Sequence, residues 1–179
     1  MPATPDAATP RKTAFFDFDG TLAAPVFETG GKKTPGFPFE DWKKYLSKNP
    51  DAYMSSAPVL PVMAYAIRLR ACGWDLKILT GTNRDGSEQA KQKWLDKTGF
   101  AWLFSGIIPV DGQPEKVRCV MEYAAGHGLA PSDCLVIDDN YVTVVTAEAA
   151  GIPAVHVSHV IARNYDPSGT DPALSPHDA

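Results

Sequence analysis

The chain has 179 residues, 44% of them hydrophobic and 21% charged, with a formal net charge of -4. That is ordinary globular usage in a length suited to one full core, which excludes wholesale disorder and collagen-like structure. No apolar run approaches the ~20 residues of a membrane helix, and charges of both signs are scattered, which argues against duplex nucleic acid as a main partner.

Residues 1–12, with Pro2, Pro5 and Pro10 and no apolar signal core, read as a disordered tail. Residues 163–179, where Pro167, Pro172 and Pro176 stand among Ser, Gly and Asp, read the same way. Between them, residues 13–162 form one domain. Its first apolar run, Thr13–Phe18, has the length and near-continuous apolarity of a strand buried on both faces. Residues 22–58 follow as an insertion too short for an independent core, with Phe39, Trp42, Tyr45 and Leu46 at helical spacing.

A helix is predicted next, with Val59, Val62, Met63, Ala66, Ile67 and Arg70 on one face, Pro58 and Pro61 near its start and Gly73 at its stop. Asp75–Thr80 is a second strand and Ser87–Thr98 a mostly polar helix ended by Gly99. Leu103–Ile108 is a third strand. Pro114–Gly126 is a helix that turns Val117, Val120, Met121 and Ala124 inward. Leu135–Asp138 is a fourth strand, Val142–Ala150 a helix stopped by Gly151, and Ala154–Val157 a fifth strand.

Strand and helix alternating in this way imply right-handed crossovers and a parallel sheet. The expected class is α/β: a Rossmann-like three-layer sandwich, with about five parallel strands between two helical layers. Functional groups in such sheets collect at the carboxyl ends of strands.

Two strand ends carry carboxylates. Asp17 and Asp19, in Asp17-Phe18-Asp19-Gly20-Thr21, project the same way from an extended backbone, and Gly20 allows a sharp turn. Chance places such an Asp-x-Asp-Gly-Thr string in a chain this long about once in five hundred. Asp138 and Asp139 end the fourth strand. If both strands are neighbours, the carboxylates crowd one volume and their pKa values rise unless a divalent cation is held there. Oxygen ligands alone point to Mg²⁺. The alternative is a turn at Asp17 and Asp19, with Asp138 and Asp139 capping the next helix. Thr80 with Gly81 ends the second strand, either offering hydrogen bonds to a phosphate or capping a helix. Lys116 lies in the first turn of its helix, against the helix dipole, so it either offsets the acidic cluster or is a solvated surface lysine.

These residues resemble the haloacid dehalogenase superfamily of phosphohydrolases over about Thr13 to Ser158. Asp17-Phe18-Asp19-Gly20-Thr21 matches its first motif, Thr80 the second and Lys116 the third. Asp138-Asp139 matches the fourth, with the following Thr146-Ala147-Glu148-Ala149-Ala150-Gly151 much like that family's helix ending in Ala-Gly. The resemblance implies a phosphatase that hydrolyses a phosphate monoester through an aspartyl-phosphate. Asp17 is then the nucleophile and Asp19 the general acid and base. Mg²⁺ is held by Asp17, the backbone carbonyl of Asp19 and Asp139, with Asp138 an outer or alternate ligand. Thr80 and Lys116 bind the phosphoryl group, with Gly20 and Gly81 in the phosphate loops. Dehalogenases of that family lack the second aspartate, so Asp19 favours ester hydrolysis. A phosphotransferase or phosphomutase of the same fold, and a catalytically silent scaffold, are the alternative readings.

In that family the inserted segments govern substrate choice. Here residues 22–58 are a flap or minimal cap, and Gly81 to Gln113 leave no room for a second one. Phe27, Phe37, Phe39, Trp42, Tyr45 and Tyr53 either pack the flap or stack on a substrate ring. Gly30-Gly31-Lys32-Lys33 is read as a loop, solvated or reaching for an anion. An uncovered site admits bulky phosphate esters and leaves room for a second copy of the chain, as a homo-oligomer, to close it. Cys72, Cys119 and Cys134 lack metal or redox spacing and read as buried, reduced thiols of a cytoplasmic protein with no membrane partner. His156 and His159 lack the further ligands of a zinc site.

Overall fold

A computed structural model describes residues 12–24, 26–29, 32–35, 48, 49, 51–81 and 87–163. In chain order the elements begin with β1 (Thr13–Phe16), β2 (Ala23–Ala24), β3 (Val26–Thr29), β4 (Lys32–Pro35) and β5 (Ala57–Pro58). There follow α1 (Leu60–Ala71), β6 (Asp75–Gly81), α2 (Ser87–Thr98), β7 (Ile107–Val110) and α3 (Gln113–His127). The chain continues through β8 (Cys134–Asp138), α4 (Tyr141–Ala149), β9 (Ala154–His156) and α5 (Val157–Arg163).

Five strands form one sheet in the order β7-β6-β1-β8-β9, every pair parallel. The expected three-layer α/β sandwich is therefore present. β1 is central because it is apolar on both faces: Thr13, Ala14, Phe15 and Phe16 are all buried. Alternate residues feed two cores. Phe16, Ile78 and Ile137 face α1, α2 and α5, whereas Phe15, Leu79 and Val136 face α3 and α4. Phe16 is level with Ile78 of β6 and Ile137 of β8, so the residues just beyond it are flanked by the ends of both neighbours.

The insertion is rooted by antiparallel pairing of β2 with β5, and β3 pairs antiparallel with β4. Lys32 and Lys33 thus lie in a strand rather than a loop. The expected helix at Phe39, Trp42, Tyr45 and Leu46, Gly30 and Gly31, and most of both expected tails fall outside the described residues.

Several expectations need correction. Ala101–Leu103 forms a 3-10 turn, and the third strand starts later, at Ile107. β7 is an edge strand, which tolerates the missing N–H of Pro109. Val157 opens an unforeseen helix, α5, that runs to Arg163. Ile67 and Met121 are exposed rather than inward; Tyr65 and Leu69 line the buried face of α1 instead. The polar-looking α2 buries Lys91, Trp94 and Leu95 completely or nearly so. Trp94 also donates its indole N–H to Ser56 O at 3.0 Å, tying α2 to the end of the insertion. Core aromatics of this size cost about 3–5 kcal/mol to truncate. All three cysteines are free, but only Cys134 is buried, where desolvation pushes its thiol up to about 11; Cys72 is exposed. No helix among the described residues is long and apolar enough to cross a membrane.

Candidate active site

Beyond Phe16 the chain keeps one more rung of the sheet: Asp17 N–H donates to Ile137 O at 2.9 Å. This places Asp17 beside the end of β8. Lys116, in the first turn of α3 and only 1% exposed, reaches Asp17 Oδ1 at 2.8 Å and Asp138 Oδ2 at 2.7 Å. The other Asp138 oxygen accepts the Asn140 N–H at 2.8 Å. Both Asp138 oxygens are therefore engaged. The cap of α4 is Asn140, whose side chain accepts from Val142 N–H at 2.9 Å. Asp139 is thus left uncommitted to capping, and its carboxylate joins those of Asp17 and Asp138 within 4.8 Å of one another.

The electrostatics follow from that crowding. Burial raises the Asp17 carboxyl, Lys116 pulls it back, Asp138 pushes it up again, and the net shift is upward. Asp139 is pushed up to about 7, first by burial, then by the charges of Asp17 and Asp138. Burial would lower the Lys116 ammonium, but Asp17 and Asp138 outweigh it and the net shift is upward, so the lysine stays charged.

On the opposite side of β1, Asp19 faces β6. Its Oδ2 lies 2.9 Å from the ammonium of Lys91, and the Tyr53 hydroxyl reaches the same oxygen at 3.4 Å. Lys91 also donates to Thr80 Oγ1 at 2.6 Å and to Gly81 O at 3.2 Å. Burial raises the Asp19 carboxyl, with Lys91 as the main opposing influence; the net shift is upward.

No protein-family model matches the sequence, and no curated protein matches it either. Solved structures do match. CbbY of Rhodobacter sphaeroides, in complex with phosphate, shares 16% identity at a TM-score of 0.56, over 82% of this chain and 85% of that one. A haloacid dehalogenase-like family hydrolase of Streptococcus pneumoniae shares 19% identity at 0.50, over 80% and 83%. A HAD family hydrolase of Deinococcus radiodurans, with bound phosphate and sodium, shares 17% at 0.51, over 82% and 80%. The chain has the haloacid dehalogenase fold.

Within that fold, the structure brings Asp17, Asp138, Asp139 and Lys116 together at one strand pair, and Asp19, Thr80 and Gly81 at the other. Gly20 has φ +84°, and a Cβ there would run into Asp139 Oδ2. Its N–H is engaged with Ala23 O at 2.9 Å. What the structure shows for Gly20 is therefore a steric role, the close approach of the backbone to Asp139.

Three site residues escaped sequence reasoning. Lys91 was legible only as a lysine three and four residues before Trp94 and Leu95, on the apolar stripe of a polar helix. In the sequence Tyr53 reads as packing or a stacking ring; it does pack edge-on against Phe18, but its hydroxyl points to Asp19. His156 and His159 lack the further ligands of a zinc site, and the two rings lie edge to face, 6.5 Å apart. Yet His156 Nε2 lies 2.8 Å from Asp139 O. A carbonyl only accepts, so Nε2 carries the proton and braces the Asp139 backbone. Nδ1 accepts from the Ser158 N–H at 3.2 Å.

The residues present fit a hard divalent cation. Three carboxylates face one ammonium, the donors are all oxygen, and Asp17 and Asp139 are raised first by burial and then by neighbouring carboxylate charge.

Proposed function

We propose that the protein is a Mg²⁺-dependent phosphohydrolase that cleaves a small phosphate monoester through an aspartyl-phosphate on Asp17. The observation that carries this reading is the meeting of Asp17, Asp138, Asp139 and Lys116 at the ends of β1 and β8, with Asp19 two residues further on. The phosphate bound to CbbY, a protein of the same fold, supports it, as does xylulose-(1,5)bisphosphate in a second CbbY structure.

In this mechanism Asp17 attacks phosphorus while the bond to the leaving oxygen breaks, and Asp19 gives that oxygen a proton. Water then attacks the aspartyl-phosphate, and Asp19 takes back a proton as phosphate leaves. The upward shift of Asp19 suits a group that must hold a proton before giving it. Asp17, Asp139 and the Asp19 carbonyl would hold Mg²⁺, which when bound offsets negative charge on the phosphoryl oxygens. Lys116 has two of its three N–H donors on Asp17 and Asp138. The third, unpartnered among the described residues, is available to a phosphoryl oxygen. Free Cys72, Cys119 and Cys134 support a cytoplasmic setting.

The test is phosphate release from a panel of sugar phosphates, nucleotides and phosphoamino acids with Mg²⁺. Wild type turns over at least one ester, and Asp17→Asn, folded by circular dichroism, loses on the order of 10³-fold or more of that activity. Near-normal turnover by the variant overturns the nucleophile. No turnover of any ester at high enzyme concentration overturns the reading as a whole.

A further inference from the structure

We infer that Lys91 is a positioning residue: it fixes Asp19 so that Oδ1 is the atom that exchanges the proton, and it turns the Thr80 hydroxyl toward the phosphoryl group. This rests on the hydrolase reading above and assigns a role that reading does not contain.

Lys91 is 0% exposed, although a lone lysine inside a domain is costly unless its charge and all its donors are satisfied. Here they are. An ammonium has three N–H donors. One goes to Asp19 Oδ2 at 2.9 Å, one to Thr80 Oγ1 at 2.6 Å and one to Gly81 O at 3.2 Å. The rings of Phe18 and Tyr53 cover the cation, at 5.2 and 5.6 Å from their centroids. With no donor left, Lys91 has nothing to offer a substrate. Its effect passes through the two groups it holds.

The first is Asp19. Oδ2 takes Lys91 and Tyr53, and Oδ1 has no hydrogen-bond partner among the described residues. The Asp19 side chain is 29% exposed, so the group that Lys91 clamps from behind still opens to the site. In the first step the Oδ1 proton moves to the leaving oxygen as the Asp17–phosphorus bond forms and the ester bond breaks. In the second, water loses a proton to Oδ1 as its oxygen joins phosphorus and the Asp17–phosphorus bond breaks. The second is Thr80. Because Oγ1 accepts from Lys91, its own hydrogen is directed away from that ammonium, as a donor.

Lys91 should therefore matter most where the leaving oxygen needs a proton. The experiment compares an alkyl ester, glycerol phosphate, with an aryl ester of good leaving group, p-nitrophenyl phosphate, in wild type, Lys91→Met and Tyr53→Phe. General acid catalysis contributes roughly 10²–10⁴-fold. Lys91→Met is expected to lose at least about tenfold more kcat on the alkyl ester than on the aryl ester, and to bind inorganic phosphate about tenfold more weakly by calorimetry. Tyr53→Phe is expected to show the same alkyl selectivity, severalfold, with phosphate binding unchanged.

Equal losses on both esters, or none, overturn the inference for Asp19. Unchanged phosphate affinity in Lys91→Met overturns it for Thr80. Should Lys91→Met fail to fold, the selectivity of Tyr53→Phe decides, and its absence overturns the clamp. Should wild type cleave neither these two esters nor any ester of the panel while Lys91→Met still weakens phosphate binding, the hydrolase reading fails and the Thr80 arrangement stands.

Discussion

On the β8 side of the site, Lys116 meets Asp17 and Asp138, with Asp139 close by. On the β6 side, Lys91 meets one carboxylate, Asp19, and two uncharged oxygens, those of Thr80 and Gly81. Each lysine is sealed from water, at 1% and 0% exposure. The charges around them differ. Three carboxylates against one ammonium leave an excess of two negative charges at β8, the complement of a divalent cation. At β6, among the described residues, one carboxylate faces one ammonium and the charges balance. Among the described residues the donors differ in the same sense: Lys116 keeps an N–H in hand and Lys91 has none. Under the proposed function, one buried lysine serves as part of an anion-binding site and the other as an internal brace. Their unspent donors tell which is which.

The largest break in this comparison comes from Lys116→Met. Asp17 and Asp138, whose side chains are 5% and 1% exposed, would be left without their counter-ion. Stranding buried charge costs about 3–5 kcal/mol. Urea denaturation without metal should show a loss of that size, and Mg²⁺ should restore part of it.

Asp139→Asn sharpens the comparison, because two readouts move in opposite directions. Mg²⁺ affinity, followed by calorimetry, should fall by roughly 10–100-fold. Metal-free stability above neutral pH should rise, since one member of a repelling group has lost its charge. An unchanged metal titration would remove Asp139 from the ligand set.

A smaller effect of known sign is expected from pH alone. The Asp139 carboxyl is raised from 3.8 to about 7, so between those values the folded chain holds a proton that the unfolded chain has released. Stability from this group is complete below the ordinary carboxylate range and is lost as pH rises through about 7. Asp17 is raised as well and acts in the same direction. The melting temperature of the metal-free protein should fall from pH 4 towards 8, less steeply in Asp139→Asn, and added Mg²⁺ should raise it most at the alkaline end.

The two sides were not equally legible in the sequence. Asp17, Asp138, Asp139 and Lys116 announce themselves because a charged residue at the end of an apolar run, or lysine at a helix start, opposes local preference. β1, β6 and β8 read well for a related reason: strands buried on both faces leave unbroken apolar runs. β7 was displaced because Ala101-Trp102-Leu103-Phe104 is equally apolar but winds into a 3-10 turn, with Leu103 supplying the core contact. Lys91 was hidden by its helix, whose many polar residues make one more lysine look solvated. Its spacing from Trp94 and Leu95 was the one sign in the sequence that it lies on the buried face. Asp19, Tyr53 and Lys91 are far apart in the chain and meet only because the sheet order puts β6 against β1.

The root of the insertion has a wider consequence. β2 and β5 pair where the segment leaves and returns, Val59 N–H donates to Leu22 O at 2.9 Å, and Lys97 and Trp94 clasp Met54 O and Ser56 O. These ties form a fixed socket beside Asp19. Under the proposed function, these ties hold the general acid Asp19 in place independently of what lies between Ala24 and Asp51. Under that function an engineer could exchange that segment and leave the Asp19 side of the site undisturbed, separating what selects a substrate from what reacts with it.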